Sequence, residues 1–158
     1  GENFSSNKET QYTIKLKSAA DSIKQRVHFT GYISHDEIPQ YLSIGDVGVV
    51  PSVCNEAASS TMLEMHAASL PVIASNRGGI PEYCEPSNTV LVDTDQFFVR
   101  NLAKSMEQFI SNPQMYNMMK EHCMDGIDYY DYDSYYQRFI KLIRDNTKPN
   151  TSVKQTTK

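Results

Sequence analysis

Apolar residues along this chain fall into short β-branched runs separated by longer stretches with helical spacing. That alternation predicts a doubly wound parallel α/β sheet with helices on both faces. The run Val47-Gly48-Val49-Val50 is stopped by Pro51, which predicts a buried parallel strand over Asp46–Val50. Further strands are predicted at Arg26–Thr30, Pro71–Ala74 and Thr89–Val92. Helices are predicted over Tyr12–Gln25, Ser34–Ile44, Ser59–Ser69, Gln96–Ser111, Pro113–Gly126 and Asp133–Asp145, with a short turn or helix at Ile80–Cys84. Residues Gly1–Lys8 read as polar and turn-like, and Asn146–Lys158 lack periodicity and read as a disordered tail. No internal repeat occurs.

The candidate chemistry lies between Pro51 and Glu82. Ser52–Asn55 would form the loop at the carboxyl end of a strand, the edge where open α/β sheets bind ligands. The helix that follows offers unpaired N–H groups and a positive dipole end to a phosphate. The small residues Ala57, Ala58, Ser59 and Ser60 let a ligand approach that backbone. Glu56 stands in the mouth of this cleft, and Glu64, eight positions on, leans back toward the helix N-terminus. Two acids so placed suit a sugar nucleotide, because a carboxylate accepts hydrogen bonds from vicinal hydroxyls. The structural alternatives are a solvated loop acid at Glu56 and a capping box over Thr61-Met62-Leu63-Glu64, in which Glu64 satisfies a backbone donor.

The order of pieces from Arg26 to Asp93 resembles the C-terminal nucleotide-sugar-binding domain of family 4 retaining glycosyltransferases, a two-domain Rossmann-like architecture. RVHFTGYISHDEIPQYLSIGDVGVVPS resembles the family's strand, glycine turn, short helix and next strand. NEAASSTMLEMHAASLPVIAS resembles its E-x7-E helix and following strand, and NRGGIPEYCEPSNTVLVD its Gly-Gly-x-x-Glu turn and strand. The resemblance implies that Glu56 is the catalytic residue, lying against the transferred sugar, holding its hydroxyls and stabilising charge that develops at the anomeric carbon, and that Glu64 binds the ribose hydroxyls. It further implies that Ala57, Ala58, Ser59, Ser60, Thr61 and Met62 give backbone N–H groups to the distal phosphate. Gly31, Tyr32 and Ile33 match the turn beside the nucleobase, although Gly31-Tyr32 reads equally as a strand-end turn. Glu82 is read as orienting the Gly78-Gly79 turn, with a sugar-facing role as the alternative. The implied donor is a nucleoside diphosphate sugar, used without metal or other cofactor, and the implied acceptor is a glycan or lipid-linked sugar held by an N-terminal domain.

This chain departs from the family pattern at several points. Ala57-Ala58-Ser59 stands where the family often has Gly-Phe-Gly, His66 interrupts the usual Glu-Ala-Met-Ala, and Ser69 replaces the glycine before Leu-Pro-Val. His66 reads as a packing or surface residue. No convincing cationic clamp for a diphosphate precedes Arg26, since Lys15, Lys17 and Lys24 suit the solvated face of an amphipathic helix. The reading is therefore a donor-binding domain over residues 1–145 that lacks its first strands, a fragment expected to be inactive alone.

Composition narrows the alternatives. A net charge of −4 without a basic, aromatic-interleaved stripe argues against nucleic acid. Cys54, Cys84 and Cys123 lack C-x-x-C spacing, so neither a metal site nor a disulfide framework is expected and a reducing cytoplasm is the simplest setting. Cys54 reads as a small loop residue, with a reactive thiol as the other option. No signal peptide or membrane-length apolar run appears; peripheral association of the longer enzyme with the inner membrane face is a further implication of the resemblance. Asp131-Tyr132-Asp133 matches a metal-binding triplet in letters only. The tyrosines between Asp128 and Tyr136 suggest either an interdomain surface or carbohydrate stacking. A noncatalytic interaction module and a sugar-nucleotide epimerase remain as other function classes.

Overall fold

The computed structural model of the 158-residue chain describes residues 10–125 and 127–147. The readings made for Gly1–Lys8, Gly126 and the tail from 148 onward lie outside the described residues. Two compact units divide the chain, Gly1–Tyr41 and Leu42–Lys158.

In the first unit, helix α1 spans Gln11–Ala20. Thr10 caps it, its hydroxyl accepting from the Thr13 N–H at 3.1 Å. The predicted helix to Gln25 stops at Ala20, because a 3-10 segment takes over at Asp21–Arg26 and Ile23 leaves helical geometry at φ −128° and ψ 21°. Ser34 opens the next helical stretch, its N–H donating to the Glu37 carboxylate at 3.2 Å. A 3-10 turn at His35–Glu37 then runs into the short helix α2, Ile38–Leu42.

The predicted strand at Arg26–Thr30 is not formed. Val27 is extended at φ −121° and ψ 122°, yet residues 27–30 join no ladder. The common strand order of a doubly wound sheet is 3-2-1-4-5-6. If the three strands of the second unit are the last three of that order, Arg26–Thr30 is strand 3, which needs strand 2 as its hydrogen-bond partner. No such partner occurs among the described residues, and an isolated strand cannot satisfy its backbone.

The second unit is α/β with a parallel sheet of three strands, β1 (Gly48–Val50), β2 (Val72–Asn76) and β3 (Thr89–Asp93), in that spatial order. Gly48 pairs with Val72 and Val72 with Thr89, so the strands run in step from one end. β2 is central and Val72, Ile73, Ala74 and Ser75 are all buried, the pattern of a strand covered on both faces. Its side chains alternate between two cores. Val72 and Ala74 pack with Val50, Met62 and Ile80, while Ile73 packs with Val92, Phe109 and Met119. Helix α3 (Ser60–Ala67) supplies Met62 to the first core. Helices α4 (Phe98–Ser111) and α5 (Pro113–Glu121) supply Phe109 and Met119 to the second. A 3-10 turn at Ile127–Tyr130 then precedes α6, Tyr132–Asn146.

The turn after α3 explains one departure in the sequence. Ser69 N–H bonds to His66 C=O and Leu70 N–H to Met65 C=O, both at 2.9 Å, the paired closure of a Schellman motif. Ser69 therefore sits in the left-handed region at φ +59°, where glycine is favoured. Ser69→Gly is expected to raise stability by about 0.5–1 kcal/mol, the relief of left-handed strain less glycine's chain entropy; urea unfolding of both proteins measures it.

Candidate functional site

The loop leaving β1 carries the first acid. Ser52 and Glu56 are both half-buried, and the Ser52 hydroxyl donates to Glu56 Oε1. Cys54 is an exposed free thiol whose Sγ lies 3.6 Å from Ser52 Oγ and 3.9 Å from Glu56 Oε1. The turn after β2 grips the same loop from another side. Gly79 N–H donates to Glu56 C=O at 2.7 Å. A Cβ on Gly78 would stand 2.6 Å from Glu56 O, and one on Gly79 would stand 2.1 Å from Ala57 O. Gly78 also needs its left-handed φ of +60°. Only glycines permit this approach of two main chains.

The loop then runs through Ala57 and Ala58, both exposed, into the buried N-cap Ser59 of α3. Ser59 makes no side-chain capping bond, so the first amides of α3 keep the donors that a helix start leaves without intrahelical acceptors. Ser60 and Thr61 are exposed there. Met62 is fully buried in the first core, and its N–H already donates to Ser59 C=O at 3.2 Å. Glu64 is the fifth residue of α3 and half-buried. The helix begins after Ser59, so Thr61 is not its N-cap and the capping-box alternative for Glu64 fails. The second unit thus places Glu56, Ala57, Ala58, Ser59, Ser60, Thr61, Met62 and Glu64 on one continuous loop and helix start. Gly31, at φ +72°, Tyr32, exposed, and Ile33, half-buried, belong to the other unit.

Other candidates resolve into structural roles. His66 is buried, with Nε2 3.1 Å from Thr89 Oγ1. Thr89 gives its one proton to Asn88 Oδ1 at 2.9 Å, so His66 donates from Nε2. Burial pushes its pKa below 6.5, partly offset by a hydrogen bond to the Asn88 backbone. Arg77 adjoins the Gly-Gly turn, but its guanidinium reaches Thr94 after β3 at 3.3 Å. Glu82 closes the 3-10 turn through its N–H, bonded to Gly79 C=O at 3.0 Å. Its exposed side chain lines a cavity of about 520 Å³ with Tyr83, Tyr129, Tyr130 and Tyr135. Tyr130 packs on Tyr83 at 5.6 Å and edge-on to Tyr129 at 5.1 Å, and the Arg138 guanidinium lies 3.5 Å from the Tyr129 ring centre. Asp131 caps α6, accepting from Ser134 N–H at 3.0 Å. Burial pushes the Cys84 and Cys123 thiols up to about 11, which makes both poor nucleophiles at neutral pH. Among the described residues no group of three His, Cys, Asp or Glu is placed to hold a metal, and no helix is long and apolar enough to cross a membrane.

Sequence reasoning missed Ser52 and the grip of Gly78-Gly79 on Glu56. The second was signalled by two adjacent glycines at a strand end, which mark close main-chain approach.

A parallel α/β unit with helices packed on both faces of its central strand is a Rossmann-like domain. The sequence profile of glycosyl transferases group 1 matches residues 1–123, and the chain belongs to that family. The protein YtcC of Bacillus subtilis (strain 168) is 29% identical over 128 residues, covering 81% of this chain and 31% of that protein. A GDP-mannose-dependent alpha-(1-6)-phosphatidylinositol monomannoside mannosyltransferase of Mycobacterium tuberculosis is 36% identical over 86 residues, covering 51% of this chain and 22% of its own. Sucrose-phosphate synthase from Thermosynechococcus elongatus shares the fold with a TM-score of 0.69 at 22% identity, over 85% of this chain and 34% of that one. HepE of Anabaena, solved in complex with UDP, does so with a TM-score of 0.63 at 19% identity, over 85% of this chain and 37% of that one. The chain thus spans little more than a third, or less, of the length of these relatives.

Two outcomes test this geometry. Gly79→Ala is expected to cost about 1–3 kcal/mol, because its methyl must displace the Ala57 main chain; urea unfolding and the amide shifts of Glu56 and Ala57 report it. Because the folded chain holds His66 below 6.5, the unfolded chain takes up the proton first as pH falls. The His66 contribution to stability is therefore complete above 6.5 and lost as pH drops below it, and urea midpoints of His66→Gln should lack that part of the slope.

Proposed function

We propose that this chain is the donor-binding half of a retaining glycosyltransferase that moves a hexose from a nucleoside diphosphate sugar to a sugar or glycan acceptor. The observation that carries the reading is the Glu56 loop, held by Ser52 on its side chain and by Gly79 on its main chain, leading directly into the start of α3. In this reading Glu56 holds the sugar hydroxyls and stabilises charge developing at the anomeric carbon. The amides from Ala57 to Thr61 meet the distal phosphate, the Met62 N–H being bonded to Ser59 C=O, and Glu64 accepts from the ribose hydroxyls. Gly31, Tyr32 and Ile33 flank the nucleobase. The departing diphosphate is stabilised by helix amides and by cationic groups of a longer enzyme, without metal or cofactor. Of the two Asp-x-Asp triplets in the chain, Asp93-Thr94-Asp95 accepts from the Asn76 side chain at 2.7 Å and the Phe97 N–H at 2.8 Å, and Asp131 of Asp131-Tyr132-Asp133 is engaged in capping α6. The acceptor is held by a further domain, and the setting is the cytoplasm or the inner membrane face.

Ligand-observed NMR on the 158-residue chain tests the reading with UDP-glucose, GDP-mannose, ADP-glucose and their nucleoside diphosphates. The uridine and guanosine series are chosen because HepE was solved with UDP and a mycobacterial relative is GDP-mannose-dependent. One series is expected to bind, and Glu64→Ala should weaken it about tenfold or more through loss of hydrogen bonds to a charged acceptor. Binding unchanged in Glu64→Ala would remove that residue's role, and no binding in any series would overturn donor binding by this chain.

A further inference from the structure

The acid at the centre of the candidate site does not stand alone. Ser52 leaves the carboxyl end of β1 four residues before Glu56, and its hydroxyl reaches back to Glu56 Oε1. A serine hydroxyl has one proton to give. The one proton of the Cys54 thiol faces Ser52 Oγ at 3.6 Å and Glu56 Oε1 at 3.9 Å. Both side chains therefore gather on the same carboxylate oxygen, Oε1, and leave Oε2 as the acceptor for an incoming group. The main chain of Glu56 is fixed separately, its N–H bonded to Cys54 C=O at 3.2 Å and its C=O to Gly79 N–H at 2.7 Å.

We propose that Ser52 is a positioning residue that holds the Glu56 carboxylate in a single rotamer with Oε2 free. Its consequence for the sugar rests on the donor-binding reading above. A glutamate has three side-chain torsions, and a half-buried loop acid without a side-chain partner samples several of them. A hydroxyl donor to the charged group restricts that sampling before ligand arrives, which is preorganisation.

The test reads the rotamer directly. Three-bond couplings to Glu56 Cγ are measured in the labelled 158-residue chain, with the methyl shifts of buried Ile73 and Ile80 as the check on folding. A single χ1 rotamer is expected in the native chain and in Ser52→Thr, which keeps the hydroxyl, and averaged couplings in Ser52→Ala. Averaging already present in the native chain, averaging in Ser52→Thr with intact methyl shifts, or a fixed rotamer in Ser52→Ala would each overturn the assignment. The native and threonine proteins decide the matter even if the alanine variant does not fold. UDP-glucose and GDP-mannose are then titrated against UDP and GDP. Ser52→Ala should weaken the nucleotide sugar about tenfold and leave the nucleoside diphosphate within about twofold. A fixed rotamer lost in Ser52→Ala, in a chain that binds no nucleotide sugar, supports the Ser52 role and overturns the donor reading. Equal nucleotide-sugar binding by Ser52→Ala overturns the consequence drawn for the sugar while donor binding stands.

Discussion

The hydrogen bond from Gly79 N–H to Glu56 C=O ties the loop after β1 to the turn after β2, and the placement of the candidate acid follows from it. The two strands are neighbours in register, so their following segments leave the sheet side by side. Side chains at 78 and 79 would fill the space the Glu56–Ala57 main chain occupies. The core below makes the tie firm. Ile80 is fully buried beside Met62 and Val50, so the Gly-Gly turn, the start of α3 and the end of β1 are anchored in one cluster. A shift of any one of them disturbs close packing on the others.

The same arrangement separates a buried, hydrogen-bonded polar side chain from two partly exposed acids. His66 is a helix residue with a buried ring, and its partners Thr89 and Asn88 lie at the start of β3, the end of the sheet opposite the Glu56 loop. Burial holding it neutral is the signature of a core histidine with satisfied hydrogen bonds. Glu56 and Glu64, by contrast, lie on a loop and a helix start that keep them partly exposed. A carboxylate there can still exchange water for a ligand hydroxyl.

The core strands and the candidate loop were legible in the sequence because their signals are local. A β-branched run stopped by proline marked β1, and small residues after an acid marked the entry to α3. Boundaries moved by a few residues, as at Ala20, where a 3-10 segment takes over, and at Glu121, where α5 gives way to a turn. Arg26–Thr30 failed for a non-local reason, since its composition suits a strand but a strand exists only with a partner. The capping-box alternative at Thr61 failed because the helix already begins at Ser60, with Ser59 as its N-cap. Ser69 was legible as an oddity and not as a cause, because its left-handed backbone is visible only once α3 is seen to end in a Schellman turn. The Ser52 contact escaped notice because i to i+4 proximity outside a helix carries no sequence signal.

Charge sets the limit on what this unit does alone. A helix N-terminus contributes roughly half an elementary charge, worth about 0.3–1 kcal/mol at an exposed site. A nucleoside diphosphate sugar brings about two negative charges on its phosphates, and Glu56 and Glu64 add their own nearby. The amides of α3 cannot balance that sum. Arg77, the cation beside the Gly-Gly turn, is drawn to Thr94, and the chain carries a net −4 overall. In the proposed reading, tight binding of the diphosphate therefore calls for further cationic groups beside this loop. In that reading, Glu56 and Glu64 accordingly govern which donor is chosen more than how tightly this unit holds it.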